Sequence, residues 1–298
     1  MNKTKLQKTH IPILLKESLA FLNINPAGFY VDGTLGEGGH SIEILKHLNS
    51  KGLLLSLDVD EEAIEFVKSY YEIPSNWIIQ NKNFANIEEI LTEFDRKPNG
   101  ILLDLGLSSR QIDIEDRGFS YLRDEQKLDM RMDKNLAITA KDLISALTEK
   151  QIAEMLKKFG EERWSKRIAR NIVQKRDTIE TVKDLKDVIT ESIPSKFRFL
   201  EKHPEKRVFQ AFRITVNAEL VNLKKFLDSV PEILEKEGRV VIITFHSLES
   251  RIVKQTFKRW EKDGIGKIIT KKAVYPSEQE IQKNKRATSA SLRCFEKT

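Results

Sequence analysis

The chain has 298 residues, 40% of them hydrophobic, enough to bury a sizeable core and to form two structural units. Its 51 Lys and Arg against 45 Asp and Glu leave a net charge of +6, a mild basic bias compatible with nucleic acid. The single cysteine, Cys294, excludes an intramolecular disulfide and a multi-cysteine metal site, and the five histidines show no ligand spacing, so no metal is expected. With no apolar run near the roughly 18 residues of a membrane span, and no signal-peptide h-region, a soluble cytoplasmic protein is expected.

At the N-terminus, Thr9-His10-Ile11-Pro12-Ile13-Leu14-Leu15 leads into a predicted helix ending near Leu22. Such an arm can fold over a cofactor cleft; His10 either faces that cleft or is simply polar at the helix start. Phe29-Tyr30-Val31 then forms a short apolar strand closing on Asp32, and Gly33, Gly36, Gly38 and Gly39 fall within the next seven residues. Ile42, Leu45 and Leu48 mark the apolar side of the helix that follows. Strand, glycine-rich turn and helix start together bring backbone N–H groups close to a ligand, and some of these glycines need positive φ. The plain alternative is a tight turn with no ligand.

Leu53-Leu54-Leu55-Ser56-Leu57 decides against that alternative, because it leads into Asp58 at the spacing of the acidic residue that grips ribose hydroxyls in nucleotide-binding βαβ units. The glycine spacing is not G-x-G-x-x-G, which argues against a dinucleotide site. S-adenosylmethionine fits better, since it carries a ribose and an amino-acid end but no pyrophosphate. A helix over 60–70 follows, capped by Asp60, then a strand at 77–80 with Phe84 beyond its end, where a ring can lie beside an adenine or simply fill the core. Residues 87–94 read as helix and Gly100-Ile101-Leu102-Leu103-Asp104 as a fourth buried strand. Three strands ending in carboxylates, alternating with helices, predict a parallel α/β sheet with its site along one edge.

From Gln111 the character changes. Helical periodicity at 140–147, 151–159, 163–175 and 182–189, without strand patterns between, predicts an inserted all-helical domain. The expected division is therefore 1–110, an insertion at 111–202, and a return to the sheet over 203–298. In the third of these helices Trp164, Ile168 and Ile172 form one stripe, while Arg163, Lys166, Arg167 and Arg170 form either a solvated face or a phosphate-tracking surface. A long helix is predicted from 203 to about 227, then a strand at 238–245 that ends in His246-Ser247. Adjacent residues do not present imidazole to hydroxyl, and no G-x-S-x-G elbow exists, so a hydrolase is rejected. A helix at 248–260 precedes a basic, hydroxyl-rich tail at 284–293, and 292–295 reads as an added edge strand.

The residues carry a resemblance along nearly the whole chain. Asp32-Gly33-Thr34-Leu35-Gly36-Glu37-Gly38-Gly39-His40-Ser41, Leu103-Asp104-Leu105-Gly106-Leu107-Ser108-Ser109-Arg110-Gln111, Leu128-Asp129-Met130-Arg131-Met132-Asp133, Gly160-Glu161-Glu162-Arg163 and Phe245-His246-Ser247-Leu248-Glu249 resemble, in order, the RsmH (MraW) family of 16S ribosomal RNA cytosine-N4 methyltransferases. The resemblance implies a class I (Rossmann-like) S-adenosylmethionine-dependent methyltransferase sheet with a helical domain inserted. It also implies a cytidine substrate in the P-site (decoding) region of 16S rRNA within the small ribosomal subunit. Carried over by position, Gly38, Gly39 and His40 would line the cofactor's amino-acid end. Asp58 would hold its ribose, Phe84 and Asp104 would flank the adenine, and Gln111 would close the pocket. The oligomeric state stays open, a dimer included.

Methylating cytosine N4 requires an acceptor for the amine, whose lone pair is delocalised into the ring; Asp104 and His246 are the two catalytic candidates. Arg167, Arg170 and Arg286 are the expected phosphate contacts. The chain departs from the family at Asp124-Glu125-Gln126-Lys127-Leu128, where a Gly-Pro turn is usual, at Ser250, and at Lys285, Thr288 and Ser291. The first bears on loop geometry near the substrate and the last on a basic patch; none touches the cofactor residues.

Overall fold

Alternation along the strands builds the two faces of the sheet. In the computed structural model, which describes residues 12–113, 116–198 and 204–298, Phe29 and Val31 of β1 (Phe29–Asp32) join one core and Tyr30 the opposite one. The same holds for β2 (Leu53–Asp58), β4 (Gly100–Asp104) and β5 (Arg239–Thr244), all parallel to β1. Strand β3 (Trp77–Asn81) pairs in parallel with β2. The order is β3-β2-β1-β4-β5-β7-β6, with β7 (Ser291–Lys297) antiparallel to both β5 and the short β6 (Gly266–Ile268). One face is covered by helices Glu219–Ile233 and Ser247–Lys262 through Phe226, Val230, Phe257 and Trp260. Leu22, Ile44, Ile64 and Val67 of helices Leu15–Leu22, Gly39–His47 and Glu61–Tyr70 pack on the other. Strands buried on both faces read as continuous apolar runs, which is why they were visible in the sequence.

The chain divides into two compact units, one made of the residues up to 106 together with 221–298 and the other of 107–220. The second is helical, with a core of its own built from residues such as Ile144, Ile152, Leu156, Ile168, Ile172, Leu185, Ile189 and Phe212. It extends beyond the expected 111–202 because helix Glu205–Val216 contributes Val208, Phe209, Ala211 and Phe212 to that same core.

Two expectations are corrected, and the segment that departs from the family finds its backbone partners. The helix predicted from 203 to 227 is two helices, Glu205–Val216 and Glu219–Ile233, because Ala218 adopts φ +49°. Asn217, at the break, gives its side-chain amide to the Met130 and Arg213 carbonyls at 2.7 and 2.9 Å and accepts from Met132 N at 2.7 Å. The C-terminal strand is longer than 292–295 and is not the edge; β6 is. The departing segment at 124–128 is held by Val182 N to Gln126 O (2.9 Å) and Lys183 N to Asp124 O (3.0 Å), so the absent Gly-Pro turn is replaced by backbone pairing. His10 and His203 lie outside the described residues.

Candidate cofactor and methyl-transfer site

The carboxyl ends of β1, β2 and β4 hold Asp32, Asp58 and Asp104. Between Asp32 and helix Gly39–His47 the chain turns through Gly36 at φ +51° and Gly38 at φ +80°, conformations that cost an L-residue strain. Gly38 is the N-cap, no side chain caps this helix, and its first turn carries no acid. A Cβ on Gly39 would stand 2.4 Å from Pro12 Cγ, so the described end of the N-terminal arm lies against this turn. An uncapped helix start with exposed N–H dipoles suits a carboxylate such as the one on the amino-acid end of S-adenosylmethionine.

His40 follows directly. It is buried, its ring hydrogen-bonds the Ile13 carbonyl, and burial pushes its pKa down to about 4, so the imidazole is neutral. Nδ1 lies 3.6 Å from Asp104 Oδ2, while Nε2 is buried with no partner among the described residues. With the Asp104 carboxyl beside Nδ1, the proton is placed on Nδ1 and Nε2 is left as an acceptor. Asp104 Oδ1 is likewise buried with no partner among the described residues. Burial above all, and then the charges of Asp32 and Glu249, hold its carboxyl well above the usual carboxylate range. A vacant acceptor on His40 beside an uncapped helix start matches the ammonium and carboxylate of an amino acid. The residues present therefore fit the expected cofactor.

Asp58 is already engaged. Oδ2 accepts from Gly36 N at 2.8 Å and Oδ1 from Asp60 N at 2.9 Å, which ties the glycine turn to β2. A carboxylate keeps further lone pairs for hydroxyls. Burial raises Asp58 to about 6, with the neighbouring Asp60 and Asp32 adding to the rise. Phe84 sits half-buried in a turn past the end of β3, edge-on to Phe226 at 5.8 Å between centroids.

Sequence reasoning missed a chain of hydrogen bonds beneath the turn. Trp77 Nε1 donates to Ser56 Oγ (2.8 Å), Ser56 and Ser41 hydroxyls meet at 2.8 Å, and Ser41 Oγ donates to Asp32 Oδ2 (2.6 Å). An indole only donates and an ionised carboxylate only accepts, so every hydroxyl in between points toward Asp32. Asp32 also accepts from Thr34 N at 3.1 Å, and Thr34 Oγ1 in turn accepts from Asp104 N at 2.7 Å. The signal was present: Ser56 is a polar residue within an apolar strand and had to find a partner.

His246 also has a structural role at the end of β5. It is the N-cap of helix Ser247–Lys262: Nδ1 accepts from Glu249 N at 3.4 Å, and Glu249 Oε2 accepts from Phe245 N at 2.8 Å. With Nδ1 accepting, Nε2 carries the proton and lies 3.2 Å from Glu249 Oε1, without a hydrogen bond among the described residues. Gln111 belongs to the helical unit, where it is buried, accepting from Ser108 N (3.0 Å) through Oε1. Arg167 and Arg170 are exposed on helix Ser165–Lys175, Arg170 3.7 Å from Glu149. Arg286 is half-buried near the C-terminus, in the sheet unit.

This sheet, with its one antiparallel strand at the C-terminal side and its carboxylate-lined turn, is that of a Rossmann-like S-adenosylmethionine-dependent methyltransferase. Residues 7–298 match the MraW methylase family, and the chain belongs to it. A ribosomal RNA small subunit methyltransferase H from Halothermothrix orenii is 44% identical over 97% of this chain and 98% of its own length. Another of that name from Clostridioides difficile matches at the same level, and one from Clostridium botulinum (strain 657 / Type Ba4) is 46% identical over 97% of the chain.

Proposed function

We propose that this chain transfers the methyl group of S-adenosylmethionine to N4 of a cytidine in 16S ribosomal RNA, acting on the small subunit in the bacterial cytoplasm. The observation that carries the chemistry is the buried, unpartnered Asp104 Oδ1 at the end of β4, in a chain whose relatives are named for methylation of small-subunit ribosomal RNA. When bound, the cofactor supplies an electrophilic methyl on a sulfonium.

The protein's own groups supply position and acceptors. The N-terminus of helix Gly39–His47 receives the amino acid's carboxylate, and neutral His40 accepts from its ammonium through Nε2. Asp58 takes ribose hydroxyls with the lone pairs left by Gly36 and Asp60, and Phe84 lies along the adenine. Asp104 accepts from the cytosine amine through Oδ1, and a cation beside it favours its ionised form. Holding N4 in line with the methyl–sulfur bond contributes several kcal/mol without covalent catalysis. The helical unit, 107–220, recognises RNA, with Arg167 as its phosphate contact.

The test is methyl transfer from labelled cofactor to small subunits, followed by mass mapping of the 16S rRNA from cells with and without the protein. A single cytidine gaining one methyl only when the protein is present is the expected result. Transfer to a carbon or a ribose oxygen would overturn the assignment of the amine.

A further inference from the structure

Residues 12–14 of the N-terminal arm touch the cofactor turn on one side and are held from far along the chain on the other. Leu14 is fully buried and adopts φ +55°, ψ +32°, a left-handed conformation that a leucine reaches only under strain. It is the N-cap of helix Leu15–Leu22 and gives that helix no side-chain cap. Its N–H donates instead to Glu280 Oε1 at 2.7 Å, a partner 266 positions away in sequence. A strained backbone persists only where its surroundings over-determine it, and here a carboxylate from the other end of the chain does so.

Glu280 stands on an excursion from the sheet. Val274 N donates to Leu292 O at 3.0 Å and Leu292 N to Val274 O at 2.8 Å, so the residues between them leave and rejoin the sheet at one rung. Within the excursion, helix Glu278–Lys283 is capped by Ser277, whose Oγ accepts from Glu280 N at 3.2 Å. Ile281, Ala287 and Ala290 pack into the same core as Ile13 and Leu14 of the arm and Leu35 of the glycine turn. Ends fixed at one rung and a shared core make the excursion a rigid platform. Glu280 is the point of that platform on which the arm's backbone rests, and neither cofactor contact nor phosphate contact uses it.

On its other side the arm meets the site itself. The Pro12 ring lies on Gly39, where an added Cβ would stand 2.4 Å from Pro12 Cγ, and the Ile13 carbonyl takes a hydrogen bond from the His40 ring. We propose that Glu280 is a positioning residue for S-adenosylmethionine: by holding Leu14 it seats Pro12 and Ile13 against Gly39 and His40 before the cofactor arrives. The proposal rests on the reading that the cofactor's amino-acid end lies at this turn, and adds what keeps that end of the site assembled. With the carboxylate gone, Leu14 N–H loses its acceptor and the strained turn relaxes, so cofactor binding must also order the arm. Coupling is reciprocal, and the bound cofactor fastens the arm in turn.

The test compares Glu280→Ala, Glu280→Gln and Glu280→Asp in the full chain, by calorimetry with S-adenosylmethionine and by hydrogen exchange at the Leu14 amide. Only Oε1 of Glu280 is engaged among the described residues, so glutamine keeps the acceptor at the same reach and should bind within about threefold of the wild type. Aspartate keeps the charge one methylene short and should behave as alanine does. If alanine leaves the arm seated in about one molecule in ten, the apparent Kd rises about tenfold, and the cofactor's KM rises with kcat held. The Leu14 amide should exchange at least tenfold faster in cofactor-free Glu280→Ala and regain protection when cofactor is added, a response that a purely structural contact would not give. Cofactor affinity unchanged in Glu280→Ala, or equal in the Gln and Asp variants, overturns the proposal. His40→Ala checks the reading beneath it: unchanged affinity there overturns the placement of the cofactor's amino-acid end, whereas affinity lost in His40→Ala and kept in Glu280→Ala overturns the role of Glu280 alone.

Discussion

Ser56 and Asp58 stand two residues apart on β2 and tie the glycine turn and the helix after it to that strand. Asp58 is held by two backbone N–H groups yet sits in surroundings that raise it to about 6, with burial the main cause. A carboxyl raised above its unfolded value adds stability at low pH that is lost as pH rises through the folded value. The cofactor-free protein should therefore lose thermal stability on going from pH 5 to 7, and Asp58→Asn should remove that part of the slope. Cofactor affinity runs the other way: the ionised carboxylate is the acceptor, so affinity should fall as pH drops below about 6. Asp58→Asn should weaken S-adenosylmethionine binding by roughly 1.5–3 kcal/mol, because its NH₂ faces a backbone N–H and one acceptor is lost. Calorimetry that finds unchanged binding in a folded variant would take Asp58 out of the site. Ser56→Ala strands Trp77 Nε1 and should cost about 1–3 kcal/mol in denaturant unfolding, part of which a second change, Trp77→Phe, should recover by removing the donor. That Asp58 ends a strand was legible from the apolar run before it. The Trp77–Ser56–Ser41–Asp32 chain was not, because its members come from two strands and a helix that only the folded sheet brings together.

At the scale of elements, what was legible followed from periodicity, and what was missed followed from single residues. Strands buried on both faces and helices with a stripe announced themselves; β6 is three residues long and has no pattern to find. The break between Glu205–Val216 and Glu219–Ile233 turns on Ala218 in a left-handed conformation, which no propensity predicts for alanine. His246 has a structural role that its sequence position did not announce. Its place at a strand end is where chemistry is expected, yet the reciprocal bonds with Glu249 make it a helix cap. His246→Asn keeps a side-chain acceptor for Glu249 N, so methyl transfer is expected to survive within a few-fold and unfolding stability to change by less than about 1 kcal/mol. His246→Ala should cost about 1 kcal/mol or more of stability, since it removes the cap and leaves buried Glu249 underpaired. A His246→Asn enzyme that is stable but inactive would return the imidazole to the chemistry.

For the whole molecule the question is what the enzyme recognises. Each unit has its own core, so the helical unit is inserted without altering the strand order of the sheet. Net charge is only +6, with 45 acids among 51 bases, and much of the basic surface is already paired, as Arg170 with Glu149 and Lys175 with Glu191. Electrostatics alone should therefore give weak and unselective RNA binding that fades with salt. Selecting one cytidine also requires its base to be exposed, and extruding a paired base costs a few kcal/mol that a fold leaving it unpaired does not charge. A small subunit, in which RNA and ribosomal proteins fix the local shape, supplies both the unpaired base and the contacts that charge does not. Methyl transfer should accordingly be faster to small subunits than to free 16S rRNA or to complete ribosomes, and the advantage over free RNA should widen as salt is raised toward physiological strength. A three-substrate assay over a salt series measures it; free 16S rRNA methylated as efficiently as the subunit at physiological salt would mean that the RNA sequence and its own fold are enough.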